Sequence, residues 1–214
     1  MFIMNESEFS NNKLENAENF IEFWSKYYKY AVKDESEKYI SYIEELNLNS
    51  NLTEQNVKRL LRWKDSHMLT DKIRSGANAG NDNDRVMRVL NELKSLNDFR
   101  HGRIPETDFF KKVKDIFPNG FVWQVFLFHI ARPSKYPIAD QNVFRAFFIL
   151  KDIKKDPTKA DWDDYIEYKN FFFDIAKSVE PQGDEKNIRN IVEKLKKLDN
   201  ALFEFGKFLK RYNR

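Results

Sequence analysis

Most acids, bases and nucleophiles of this chain are scattered, but one aspartate stands out by its setting. In "RPSKYPIADQNVFRAFF", Arg132–Phe148, Asp140 follows two prolines and opens an apolar helical pattern. A carboxylate placed there can serve in either of two ways. Pro133 and Pro137 disfavour helix at the residues before them, so "RPSKYP" reads as a short rigid connection. Asp140 then stands at the start of "QNVFRAFFIL", where it can accept backbone N–H bonds at the positive helix end, a contribution of about 1 kcal/mol. The alternative is chemistry, with the negative charge set beside a positive charge that develops in a reaction.

Other site chemistries narrow quickly. His67, His101 and His129 are far apart and none belongs to a two-histidine helical pair of the HExxH kind. His129, between Phe128 and Ile130, reads as a satisfied core residue. The absence of cysteine excludes disulfides, thiolate zinc sites, Cys-ligated clusters and Cys nucleophiles. "SGANAG" lacks the Lys-Ser/Thr of a phosphate loop, and no GxSxG elbow occurs. Asp161, Asp163, Asp164 and Glu167 precede an apolar run, which marks the negative first turn of a helix rather than a metal site. No metal and no cofactor is expected.

The elements that must position Asp140 read as helices almost throughout. "NAENFIEFWSKYYKYAV" repeats apolar residues at three and four positions, and "SEKYISYIEEL" follows as a shorter helix. Thr53 reads as the N-cap of "NLTEQNVKRLLRWK", Asn83 or Asp84 as that of "RVMRVLNELKSL", and Pro105 or Thr107 opens "ETDFFKKVKDIF". "GFVWQVFLFHIA", the helix after Asp140, "DWDDYIEYKNFFFDIAKSV" and the terminal "DEKNIRNIVEKLKKLDNALFEFGKFLKRY" complete the set. No stretch alternates with period two long enough for a strand, so the fold class is all-α, a multi-helix orthogonal bundle. With 214 residues, 41% of them hydrophobic and 20 of them Phe, the chain can bury a sizeable core. It reads as one domain over 1–214, with a seam near 75–84 where "RSGANAGNDND" breaks any period and could divide two helical lobes.

A net charge of +3 is small, so its distribution matters more. Residues 111–160 hold 10 basic and 4 acidic side chains, and the excess surrounds Asp140. Lys111, Lys112, Lys114, Lys151, Lys154 and Lys155 belong to this set; they either face phosphates or form ordinary solvated helix faces. No run of about 18 apolar residues occurs and the first residues lack a leader pattern, which predicts a soluble, cytoplasmic protein with no membrane partner.

Ile116 to Leu150 resembles the core of the helix-hairpin-helix DNA glycosylase superfamily. "FPNG" (Phe117–Gly120) stands where the family has its glycine-rich hairpin, "FVWQVFLFHIA" where it has an apolar helix, and "YPIADQNVFRA" where it has the Asp-bearing stretch. Asp140, Val143 and Arg145 fall on matching positions. The resemblance implies a double-stranded DNA partner and an extruded damaged or modified base held between two helical lobes, with Asp140 as the catalytic carboxylate. Where bifunctional members carry a lysine this chain has Val122, Trp123 and Gln124, which implies a monofunctional enzyme. Trp123 and Tyr136 would stack on the extruded base, Gln124 would read its edge, and Asn142 replaces the family's histidine beside the substrate. Asn119, Gly120, Arg132, Lys135 and Arg145 would meet the DNA backbone or brace the aspartate, although the hairpin lacks its second glycine.

Two further readings stand beside that one. The chain could be a catalytically silent helical module that binds nucleic acid, with Asp140 only a cap. It could also be a protein-interaction module built on the aromatics of Tyr165–Phe173 and Leu202–Leu209, which are otherwise expected in the core; a continuous exposed aromatic patch would favour it.

Overall fold

The computed structural model describes residues 16–28, 42–65, 83–179 and 187–212. Among them every regular element is helical. In chain order these are α1 (Ala17–Ser25), α2 (Glu54–Asp65), α3 (Asp84–Asn91), α4 (Leu93–Arg100), α5 (Glu106–Ile116), α6 (Phe121–Ala131), α7 (Gln141–Leu150), a 3₁₀ turn (Pro157–Lys159), α8 (Trp162–Ser178) and α9 (Ile188–Tyr212). A helical turn also spans 42–45. His67, the first part of "SEKYISYIEEL" and residues 75–82 of the expected seam lie outside the described residues.

The chain divides into two compact units. One unit takes Met1–Lys29 together with Pro137–Arg214, and the other takes Tyr30–Tyr136.

In the discontinuous unit, α9 is the common support for α1 and α7. One face of α7 (Val143, Phe144, Ala146, Phe147) is buried with Tyr165, Tyr168 and Phe172 of α8 and with Leu198, Ala201, Leu202 and Phe205 of α9. Phe20 of α1 meets Phe205 edge-on at 5.5 Å, and Trp24 lies 5.1 Å from the same ring. These apolar positions recur at three and four residues along each helix, so burying one face of each removes most of their apolar area from water. α8 opens with a capping box. Asp161 accepts N–H bonds from Asp163 and Asp164 while the Asp164 carboxylate accepts from the Asp161 N–H, so the acids of "DWDD" satisfy orphan amides as expected. Lys155 closes on both carboxylates at 3.1 and 2.6 Å.

In the continuous unit, α6 is apolar on every side and buried from Gln124 to Ala131. Phe99 of α4 stacks on Phe109 of α5 at 4.3 Å, and Phe128 of α6 meets both rings edge-on. His129 is buried as expected. Its Nδ1 pairs with the Tyr136 carbonyl at 2.6 Å and its Nε2 with the Tyr42 hydroxyl. Arg100 donates to the carbonyls of Leu46, Asn47 and Ile130 and so ties the chain after the turn at 42–45 to the end of α6.

The pattern "RVMRVLNELKSL", read as one helix, is divided at Glu92, which leaves the helical region at φ −99 and ψ 13. Its N–H turns back to the Val89 carbonyl, and its carboxylate accepts from Ser95 and from Lys112 of α5. Among the described residues no helix is long and apolar enough to cross a membrane.

Candidate active site at Asp140

The connection before Asp140 is held by tyrosines from α8. Residues 137–139 belong to no regular element, and Pro137, Ile138 and Ala139 are buried. Irregular backbone buried in this way must find hydrogen-bond partners outside its own segment. The Tyr165 hydroxyl donates to the Pro137 carbonyl at 3.0 Å and the Tyr168 hydroxyl to the Ile138 carbonyl at 3.2 Å. Burial holds the Tyr168 hydroxyl well above its ordinary pKa, and the carboxylates of Asp199 and Asp140 add to this, so it stays a donor. Neither tyrosine figures among the candidate site residues read from the sequence; their signal was only an i, i+3 pair on a buried helix face.

Asp140 itself is half-buried and extended, at φ −151 and ψ −179. One carboxylate oxygen, Oδ1, accepts from the N–H groups of Asn142 at 2.8 Å and Val143 at 3.0 Å. The other, Oδ2, accepts no hydrogen bond among the described residues. The side chain is therefore fixed through one oxygen and open through the other. Helix capping and an available carboxylate are thus compatible in the same residue.

The first turn of α7 is fixed from a second side by α9. At Gly206 the helices approach so closely that an added Cβ would lie 1.9 Å from the Asn142 carbonyl oxygen. Arg145 spans the same crossing, donating to Asn142 Oδ1 at 2.9 Å and, more weakly, to the Gly206 carbonyl at 3.4 Å. Asn142 and Arg145 thus sit with Asp140 and brace one another. Arg145 also borders a recess of about 330 Å³ lined in part by Phe148, Ile149, Lys155 and Lys210.

The other candidate residues belong to the continuous unit. Trp123 is half-buried and stacks on Phe117 with ring centres 5.8 Å apart. Gln124 is buried, and its side-chain amide donates to the Phe117 carbonyl at 2.6 Å. The buried Tyr136 hydroxyl donates to Glu106 at 2.6 Å; burial and that carboxylate raise its pKa. Arg132 lies over the Phe99 ring at 4.1 Å, a cation–π arrangement. Asn119 and Lys135 are exposed. The Gly120 amide, expected to face a phosphate, closes a turn on the Phe117 carbonyl at 3.1 Å. Each of Gln124, Tyr136, Arg132 and Gly120 thus has a partner inside its own unit.

Among the described residues no group of three or more His, Cys, Asp or Glu side chains is arranged to hold a metal ion. Asp161 and Asp164, the nearest approach to such a cluster in the sequence, are occupied by the capping box and by Lys155. No family model, curated protein or solved structure matches the chain, so the reading of Asp140 rests on its own geometry.

Proposed function

We propose that the chain is a DNA glycosylase-like protein in which Asp140 promotes hydrolysis of the bond between an extruded base and its sugar. The observation that supports this reading is the divided carboxylate of Asp140, with Oδ1 fixed by two backbone amides and Oδ2 accepting nothing among the described residues. A group that must stabilise charge without reorganising needs that combination of rigid anchoring and an open face. In duplex DNA the glycosidic bond cannot be reached within the stack, so the nucleotide has to be turned out first. As the bond between C1′ and the base nitrogen breaks, the base leaves with the bonding pair and the sugar becomes cationic. The Asp140 carboxylate stabilises that cation and accepts a proton from the water whose oxygen bonds to C1′, and the proton is passed on to the departing base. No lysine is required, and the cations Arg145 and Lys210 beside the nearby recess suit backbone phosphates.

A catalytically silent nucleic-acid-binding module is the second reading, favoured by one observation. The two bonds to Asn142 and Val143 make a complete N-cap, which by itself accounts for an Asp at this position. Both readings predict binding to DNA, and only the first predicts preference for an extruded nucleotide. The test is titration of duplex carrying an abasic-site analogue against intact duplex, over a range of salt. Tighter binding to the analogue with a clear salt slope supports the glycosylase-like reading; equal binding to both supports the silent module. Absence of binding to either duplex at low salt overturns both.

A further inference from the structure

The discontinuous unit carries an aromatic surface that its own core does not use. Phe23 and Tyr27 of α1 are each 50% exposed, and Phe208 and Tyr212 of α9 are 40% and 72% exposed. With the buried Trp24 they form one unbroken chain of rings. Tyr27 meets Phe23 at 5.3 Å, Phe23 meets Trp24 at 5.2 Å, Trp24 meets Phe208 at 5.2 Å and Phe208 meets Tyr212 at 4.4 Å. Single exposed apolar residues are ordinary, whereas a contiguous group usually marks a binding surface.

The charges set among these rings indicate what the surface fits. Lys26 is exposed three residues after Phe23, and Arg211 is exposed three residues after Phe208, so each cation lies on the same helix face as a ring. The last six residues of α9, "KFLKRY", hold three cations and no acid. No carboxylate pairs with Lys26, Lys210 or Arg211 among the described residues. Cations at a helix C-terminus are accounted for by the macrodipole alone, but that does not explain aromatic rings left in water beside them. Protein interfaces are enriched in aromatics yet depleted in lysine. Aromatic rings alternating with Lys and Arg suit a ligand that is both anionic and rich in flat faces.

We propose that the Phe23–Tyr27–Phe208–Tyr212 surface binds single-stranded nucleic acid, with unpaired bases stacking on the rings and backbone phosphates meeting Lys26, Lys210 and Arg211. The inference is independent of the role given to Asp140. The experiment is fluorescence anisotropy of the full chain with a labelled oligothymidine and with a deoxyribose-phosphate polymer of equal length that lacks bases. The expected result is tighter binding to the oligothymidine, weakened about tenfold by Phe23→Ala or Tyr212→Ala, with binding to the base-free polymer unaltered by either. Arg211→Ala weakens binding to both polymers and reduces the salt slope by about 0.7. Equal affinity for the two polymers, or aromatic variants that bind oligothymidine as the parent does, would overturn the proposal. So would sedimentation showing a dimer that Tyr212→Ala converts to monomer, which would make the surface a contact between copies of the chain.

Discussion

Gly206→Ala tests the geometry that holds the first turn of α7. In the interior of a helix this substitution ordinarily stabilises, by about 1 kcal/mol. Here the new methyl would lie 1.9 Å from the Asn142 carbonyl oxygen and 2.6 Å from its carbonyl carbon. Ordinary contact begins near 3.4 Å, so α7 and α9 would have to separate by about 1.5 Å at this point. The obstacle is backbone on a packed helix and cannot swing aside as a side chain would. Overpacking of this kind costs about 1–3 kcal/mol and exceeds the propensity gain when the neighbour cannot yield. With the overlap this deep the upper end of that cost, about 3 kcal/mol, less the gain of about 1 leaves a net destabilisation of about 2 kcal/mol, or a midpoint lowered by roughly 4–8 °C for a chain of this size. Differential scanning calorimetry measures it, and a midpoint unchanged or raised would refute the close approach.

Two other consequences concern hydrogen bonds and charge. Tyr168→Phe removes the donor to the buried Ile138 carbonyl and should cost about 1–2 kcal/mol in urea denaturation, with little change from a matched Tyr→Phe at exposed Tyr212. The Glu92 carboxyl is held below its ordinary value of 4.5 by the Ser95 hydroxyl and Lys112. A depressed folded pKa gives stability that is complete above the unfolded value and is lost as pH falls through the folded one. Glu92→Gln should therefore flatten the acid limb of the stability profile below about pH 4.5, and an unchanged limb would show that the bonds to Ser95 and Lys112 contribute nothing.

Much of this architecture was written locally. The helical periods, the capping acids of "DWDD" and the place of Asp140 between a proline-bound connection and an apolar run all follow from neighbours within about four residues. His129 was legible as core for the same reason, since its flanking residues are apolar. What the sequence hid depends on residues far apart in the chain. The hydroxyls of Tyr165 and Tyr168 reach carbonyls nearly thirty positions away, and Gly206 meets Asn142 across more than sixty. The division of the chain was hidden as well. Compact units form where α1 joins helices from the far end of the sequence, and no composition shift marks 29/30 or 136/137. Phe205 and Phe208 share one apolar pattern, yet one is buried against α1 and the other is left at the surface.

The most direct measurement is single-turnover release of base from duplexes bearing a panel of damaged or deaminated bases, by the parent chain and by Asp140→Asn. Asparagine caps a helix about as well as aspartate, so the variant keeps the fold and loses only the negative charge. The account predicts release from at least one duplex by the parent chain, slowed at least about a hundredfold by Asp140→Asn at unchanged melting temperature. Release that survives the substitution would contradict the role assigned to Asp140, and no release from any duplex would leave that residue as a helix cap.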